Sequence, residues 1–181
     1  MKRLLAATVL ALSSIVGAAP PPPRPTVPAV KPKPTPVPRI CPDPAAVAFS
    51  SRVVVQQPGG GEIELSGVVH NRGNAAFVSR PGQAEVQILT SRPPGEAPLV
   101  LARKALFNLQ AAQSISIQFR RAWPRNVQFP PTFSLVISYD PDILFDGNPQ
   151  NDDCTQANNQ MDLAGAVIDH EWPNPVSGRA R

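Results

Sequence analysis

The sequence predicts an all-β fold, an antiparallel sandwich of two sheets and about seven strands, on three observations. Beyond Cys41 the chain breaks into short runs in which apolar and polar residues alternate, as they do on a strand with one buried face. Clusters of Gly, Pro, Asn and Asp separate the runs, at a spacing suited to strands that reverse direction. No stretch carries the apolar period of an amphipathic helix.

The runs follow in order. "AFSSRVVVQ", Ala48 to Gln56, makes a first strand at a sheet edge. After "PGGG", "EIELSGVVH" places Ile63, Leu65, Gly67 and Val69 on one face and Glu62, Glu64 and Ser66 on the other. "QAEVQILT" groups Ala84, Val86 and Ile88. "PLVLARKALFNL" is less regular and reads as one bent strand or two short ones around Arg103 and Lys104. "QSISIQFRRAW" turns Ile115, Ile117 and Phe119 inward, and "TFSLVISYD" aligns Phe133, Leu135, Ile137 and Tyr139. "QMDLAGAVID" closes the series with Met161, Leu163 and Val167. Each Ile, Leu, Val or Phe fully buried between the sheets contributes about 1.5–3 kcal/mol. Between the runs, "NRGN" and "DGNPQND" suit reversals, because Asn and Gly tolerate left-handed backbone and Asn and Asp bond their own main chain. The sandwich is assigned to residues 45–168. Residues 169–181 read as a loose tail with little to bury apart from Trp172.

Three of these stretches resemble a known family. "SGVVHNRGNAAF", with Asn71, Arg72, Gly73 and Asn74 at its turn, is similar to the second-strand signature of the cell-adhesion-related domains found in bacteria (CARDB). "LFNLQAAQSISIQF" resembles that family's short loop before an alternating strand. "LVISYDPDILFDGNPQNDDCTQANNQMDL" resembles its ending, with Asn158 and Asn159 paired before the last strand. The resemblance spans about residues 45–168. It implies an immunoglobulin-like β-sandwich that serves binding, adhesion or spacing rather than catalysis. The cysteine inside the acidic turn departs from the family's pattern and implies a clamp on the first-strand side.

The chain opens on "MKRLLAATVLALSSIVGAAPPPP", with Lys2 and Arg3, an apolar stretch from Leu4 to about Val16 and then small residues, the layout of a secretory signal peptide. That stretch is shorter than the roughly 20 residues a membrane span needs. Residues 1–18 are therefore expected to be cleaved after Ala18, leaving no transmembrane segment. Twelve of the 24 prolines fall from Pro20 to Pro44, so residues 19–44 read as an extended spacer rising about 3.1 Å per residue. Its "VKPKPTPVP" is similar in composition to spacers of bacterial envelope proteins. Export makes Cys41 and Cys154 readable as one disulfide, with two unpaired thiols as the alternative. For a closed loop of this size the chain-entropy argument gives about 4.7 kcal/mol.

The formal charge of +4 does not describe the folded part. From Cys41 onward eleven basic residues face thirteen acidic ones, and no basic, aromatic-laced face marks a nucleic-acid binder. The expected partner is a protein or cell-envelope component, met in the periplasm or outside the cell.

Asp140, Asp142, Asp146, Asp152 and Asp153, with Asn148, supply the hard oxygen ligands that calcium takes about six to eight at a time. Their spacing is not that of an EF-hand loop, so the run reads either as a calcium site or as a solvated turn. Arg120, Arg121 and Arg125, around Trp123, offer cations to a partner's carboxylates, while Trp123 has capping the core as its other reading. His70 and His170 form no zinc-ligand pair, His70 beside a turn reads as a surface residue, and no G-x-S-x-G elbow is present. A carboxylate pair for glycoside hydrolysis can assemble across strands, yet one Tyr and two Trp make a thin platform for sugars. The sequence thus points to a non-catalytic exported binding, adhesion or structural module of the bacterial envelope, without a cofactor other than calcium. The alternative is a calcium-dependent or carbohydrate-directed accessory domain.

Overall fold

A strand hides its inward side chains only when a second layer covers them, and here two antiparallel sheets cover each other. The computed structural model describes residues 40–125 and 127–172. The expected signal segment, the spacer as far as residue 39, and residues 173–181 lie outside the described residues.

Nine strands form among the described residues: β1 (Pro44–Gln57), β2 (Gly60–Asn71), β3 (Phe77–Val78), β4 (Ala84–Thr90), β5 (Leu99–Ala105), β6 (Asn108–Leu109), β7 (Ser114–Pro124), β8 (Thr132–Tyr139) and β9 (Gln160–Ala164). One sheet has the order β1-β2-β7, the other β5-β4-β8-β9, and β3 and β6 pair separately. β1, β2 and β7 thus occupy the places of strands A, B and E of an immunoglobulin-like sandwich, and β4, β8 and β9 those of C, F and G. β5 lies beside β4 rather than beside β7. Among the described residues β7 is therefore an edge strand, bonded to β2 on one side only.

Alternation decides what lies between the sheets. Ile63, Leu65 and Val69 of β2 are fully buried, as are Val86 and Ile88 of β4 and Phe133 and Leu135 of β8. A Cβ placed on Gly67 would stand 2.5 Å from Leu135 Cδ1 on the facing sheet, so glycine there lets the layers close. The Trp123 and Phe133 rings meet across the same interior with centroids 5.9 Å apart.

Three elements differ from their sequence patterns. β1 starts at Pro44, ahead of the alternation, because Pro44, Ala45 and Ala46 pair with Asn71, His70 and Val69 and small buried residues leave no alternating trace. "PLVLARKALFNL" resolves into two strands, β5 and β6. The last alternation does not continue as a strand: β9 stops at Ala164, and Gly165–Glu171 form the helix α1. Its turn carries Val167 outward, 41% exposed, and seats Ile168 and then Trp172 in the core. The loose tail expected from residue 169 is corrected accordingly, since Asp169 accepts a hydrogen bond from Trp123 Nε1 at 2.8 Å and the folded unit runs at least to Trp172.

The helix inverts the energetic order of two adjacent residues. Ile168→Ala is expected to cost about 2–5 kcal/mol and Val167→Ala no more than about 0.5 kcal/mol in urea unfolding. Equal costs, or a larger one at Val167, would show that the strand continues.

Candidate functional site

The alternation of β2 carries one step past Val69 to Asn71, which puts a primary amide on the inner row. Its side chain is fully buried and fully used. Oδ1 accepts from the backbone N–H of Asp43 and of Gly73, each at 3.0 Å, and Nδ2 donates to the carbonyls of Ala75 at 2.8 Å and Leu109 at 2.9 Å. One amide thereby ties the approaching chain, the turn after β2 and strand β6. A buried amide left without such partners would cost about 1–3 kcal/mol per unmet group.

Around it the segment that precedes β1 is fastened to the acidic loop. Cys41 and Cys154 form a disulfide. The Cys154 N–H donates to the Pro42 carbonyl at 3.0 Å, and the Arg72 N–H to the Asp43 carbonyl at 2.8 Å. Asn158 Nδ2 donates to Asp43 Oδ1 at 2.8 Å, and the Cys41 N–H to Asn74 Oδ1 at 3.0 Å. The approach is close enough that a Cβ on Gly73 would lie 2.6 Å from the Asp43 nitrogen. Pro42 and Pro44, assigned to the spacer from composition, are buried here.

The five aspartates do not converge. Among the described residues no group of three or more His, Cys, Asp or Glu is placed to hold a metal ion. Asp146 instead accepts from Gln83 Nε2 at 2.7 Å, Asn151 Nδ2 at 2.8 Å and the Asn148 N–H at 2.8 Å. Asp153 accepts from Tyr139 Oη at 3.0 Å, Asn159 Nδ2 at 2.7 Å and the Thr155 N–H at 2.9 Å. Asp140 accepts a long bond from the Asp142 N–H at 3.4 Å, and Asp152 is half-buried. Neutral N–H and O–H donors thus engage Asp146 and Asp153, the two carboxylates that organise the loop.

These bonds set the ionisation of the loop. The Asn151 amide, with the Asn148 N–H, holds the Asp146 carboxyl below the usual range. Burial pushes the Tyr139 phenol up, and the Asp153 carboxylate beside it adds to the shift. Asp142 moves the other way from Asp146: the neighbouring Asp140, by hydrogen bond and by like charge, raises it.

The four residues offered to a partner are not brought together. Arg120 points to the outer face of its sheet, where its Nε donates to Glu64 Oε2 at 2.7 Å while Arg52 donates to Glu64 Oε1 at 2.7 Å. Arg52, Glu64 and Arg120 are direct cross-strand neighbours, and the two guanidiniums lower the Glu64 carboxyl, Arg120 most. Arg121 points inward, its guanidinium 5.5 Å from the Phe133 ring centroid. Of the two readings of Trp123 the core is the one the structure shows, the side chain being 2% exposed. Arg125 lines a separate hollow of ≈ 310 Å³ with Gln56, Gln57 and Pro58.

Sequence reasoning missed Asn71 as a buried node, although its place in the inner row two residues after Val69 marked it. It also missed the Arg52–Glu64–Arg120 ladder, which needs the strand register to be seen.

These features define an all-β, disulfide-tied sandwich. No family model and no curated protein matches the chain. Among solved structures it is similar to β-glucosidase 3B from Thermotoga neapolitana, in complexes with glucose and with glycerol, each at 11% identity and a TM-score of 0.29. The match covers 65% of this chain and 16% of that one, so the chain spans about one sixth of the length of that enzyme.

The lowered Asp146 gives a pH dependence with a definite sign. A depressed folded-state value means that stability from this group is present above the ordinary carboxylate range and lost as pH falls through the lower folded value. The raised Asp142 acts oppositely, its unfavourable charge being relieved as it takes up a proton. Asp146→Asn should lower the melting temperature at pH 6 and make it fall less steeply between about pH 4 and pH 2. An unchanged acid limb would remove Asp146 from the acid response.

Proposed function

We propose that this chain is a non-catalytic module exported to the bacterial envelope, held off its attachment by the proline-rich spacer and presenting the sandwich to a protein or other envelope component. The supporting observation is the clamp at the point where the spacer meets the fold. The Cys41–Cys154 disulfide lies at the end of the proline-rich stretch and ahead of β1, so tension along the spacer reaches a covalent bond before it reaches the hydrogen-bonded edge strand. A disulfide suits an oxidising compartment, and none of the helices among the described residues is long and apolar enough to cross a membrane. The signal-like start and the CARDB-like turns agree with this reading.

The test is capture from envelope extract with the mature oxidised protein and with a version lacking residues 20–38. Both are expected to recover the same specific partner, the shorter one less efficiently from intact cells, where reach matters. Accumulation of the protein in the cytoplasm with two alkylatable thiols would contradict the proposal.

A further inference from the structure

The sandwich is open along one side. Among the described residues β5 and β7 are both edge strands, in different sheets, and a groove runs between them. One end, ≈ 500 Å³, is lined by Leu99, Leu101, Phe119 and Arg121 among others. The adjoining end, ≈ 390 Å³, is lined by Ala102, Lys104, Ser116 and Ile117.

Register shows which side chains face it. Arg121, Phe119 and Ile117 oppose Ile63, Leu65 and Gly67 of the inner row, and Ala102 and Lys104 oppose Ile88 and Val86. Directly opposed residues share a face, so the groove has an apolar floor at its Leu101 and Phe119 end and a cation from each wall. Lys104 Nζ spans the gap to the Ser116 carbonyl of β7 at 2.8 Å, which uses one of its three protons. Arg121 lies over the Phe133 ring. Their neighbours are already committed, Arg103 to Glu85 at 3.4 Å and Arg120 to Glu64. Among the described residues neither Lys104 nor Arg121 has a carboxylate partner.

Two unmatched cations separated by an apolar floor specify an occupant. Lys104 sits at the level of Ser116 and Arg121 lies five residues further along β7, roughly 16 Å of extended chain. Side chains on one face of a strand come at even spacings. With the flexibility of Lys and Arg, carboxylates four positions apart, about 13 Å, are the pair that reaches both. Apart from the Ser116 carbonyl that Lys104 holds, β7 has an edge with no strand partner among the described residues, on which such a segment can add as a strand.

We propose that the groove between β5 and β7 takes an extended segment of a partner protein with two carboxylates four positions apart, one for Lys104 and one for Arg121, and an apolar side chain midway that rests on Leu101 and Phe119. This rests on the reading of the chain as a binding module and names the chemistry of its partner.

The probe is a fluorescein-labelled Thr-Glu-Thr-Val-Thr-Glu-Thr peptide, added to the mature oxidised protein and followed by anisotropy. Controls place the second Glu three positions from the first, or replace both Glu by Lys. The four-spaced peptide should bind at least about tenfold more tightly than either control, one charge-assisted contact being enough for that ratio, and more weakly as salt rises. Lys104→Glu, at an exposed position, should abolish the preference while the melting temperature holds. Arg121→Gln should reduce it, with circular dichroism confirming the fold. Equal affinity for all three peptides, or a preference that survives Lys104→Glu, overturns the groove assignment. An envelope partner captured equally well by Lys104→Glu would leave the binding module standing and remove only the groove. Failure of both capture and peptide binding would remove both.

Discussion

The fold depends on how the chain is held where it meets the sandwich. Among the described residues β1 is an edge strand, paired on one side only, and such strands fray unless something fixes their ends. Here the start of β1 is fixed from two directions. The Asn71 amide takes the Asp43 N–H, and the acidic loop supplies the Cys154 sulfur and the Asn158 amide. The loop connects β8 to β9, in the other sheet, so the clamp joins the first strand of one layer to the last hairpin of the other. The four bonds to the one buried amide use all of its capacity, and a fully satisfied buried polar group rigidifies the arrangement around it.

The acidic loop is legible in this light. Its carboxylates look from sequence like ligands awaiting a cation, yet Asp146 and Asp153 act as acceptors that organise the surrounding amides. Aspartate does this well because each oxygen takes more than one donor. Asn151 and Asn159 supply matching N–H groups from the same stretch, and Asn158 reaches out of it to Asp43. The composition that suggested metal chemistry is the composition of a loop that builds itself from side-chain bonds.

Strand identity was open to sequence reading because the period-two pattern belongs to single strands. Ile115, Ile117 and Phe119, or Phe133, Leu135 and Ile137, mark their inner face without reference to any partner. What depends on pairing was hidden. Glu64 reads as an outward residue among others, and only the register that places Arg52 and Arg120 on either side makes it the centre of a ladder. "AGAVID" kept its alternation on paper, but Gly165 begins a turn of helix, and helical geometry exchanges the roles of Val167 and Ile168. Lys104 and Arg121 lie 17 positions apart in sequence, and only the meeting of two sheet edges makes them walls of one groove.

Amide hydrogen exchange of the oxidised mature protein measures the clamp most directly. The N–H groups of Asp43, Arg72 and Cys154 bond within it and are expected to exchange as slowly as those in the middle of β2, and to speed up on reduction while the centres of β4 and β8 stay protected. Exchange of these three amides at the rate of an exposed loop in the oxidised protein would contradict the account.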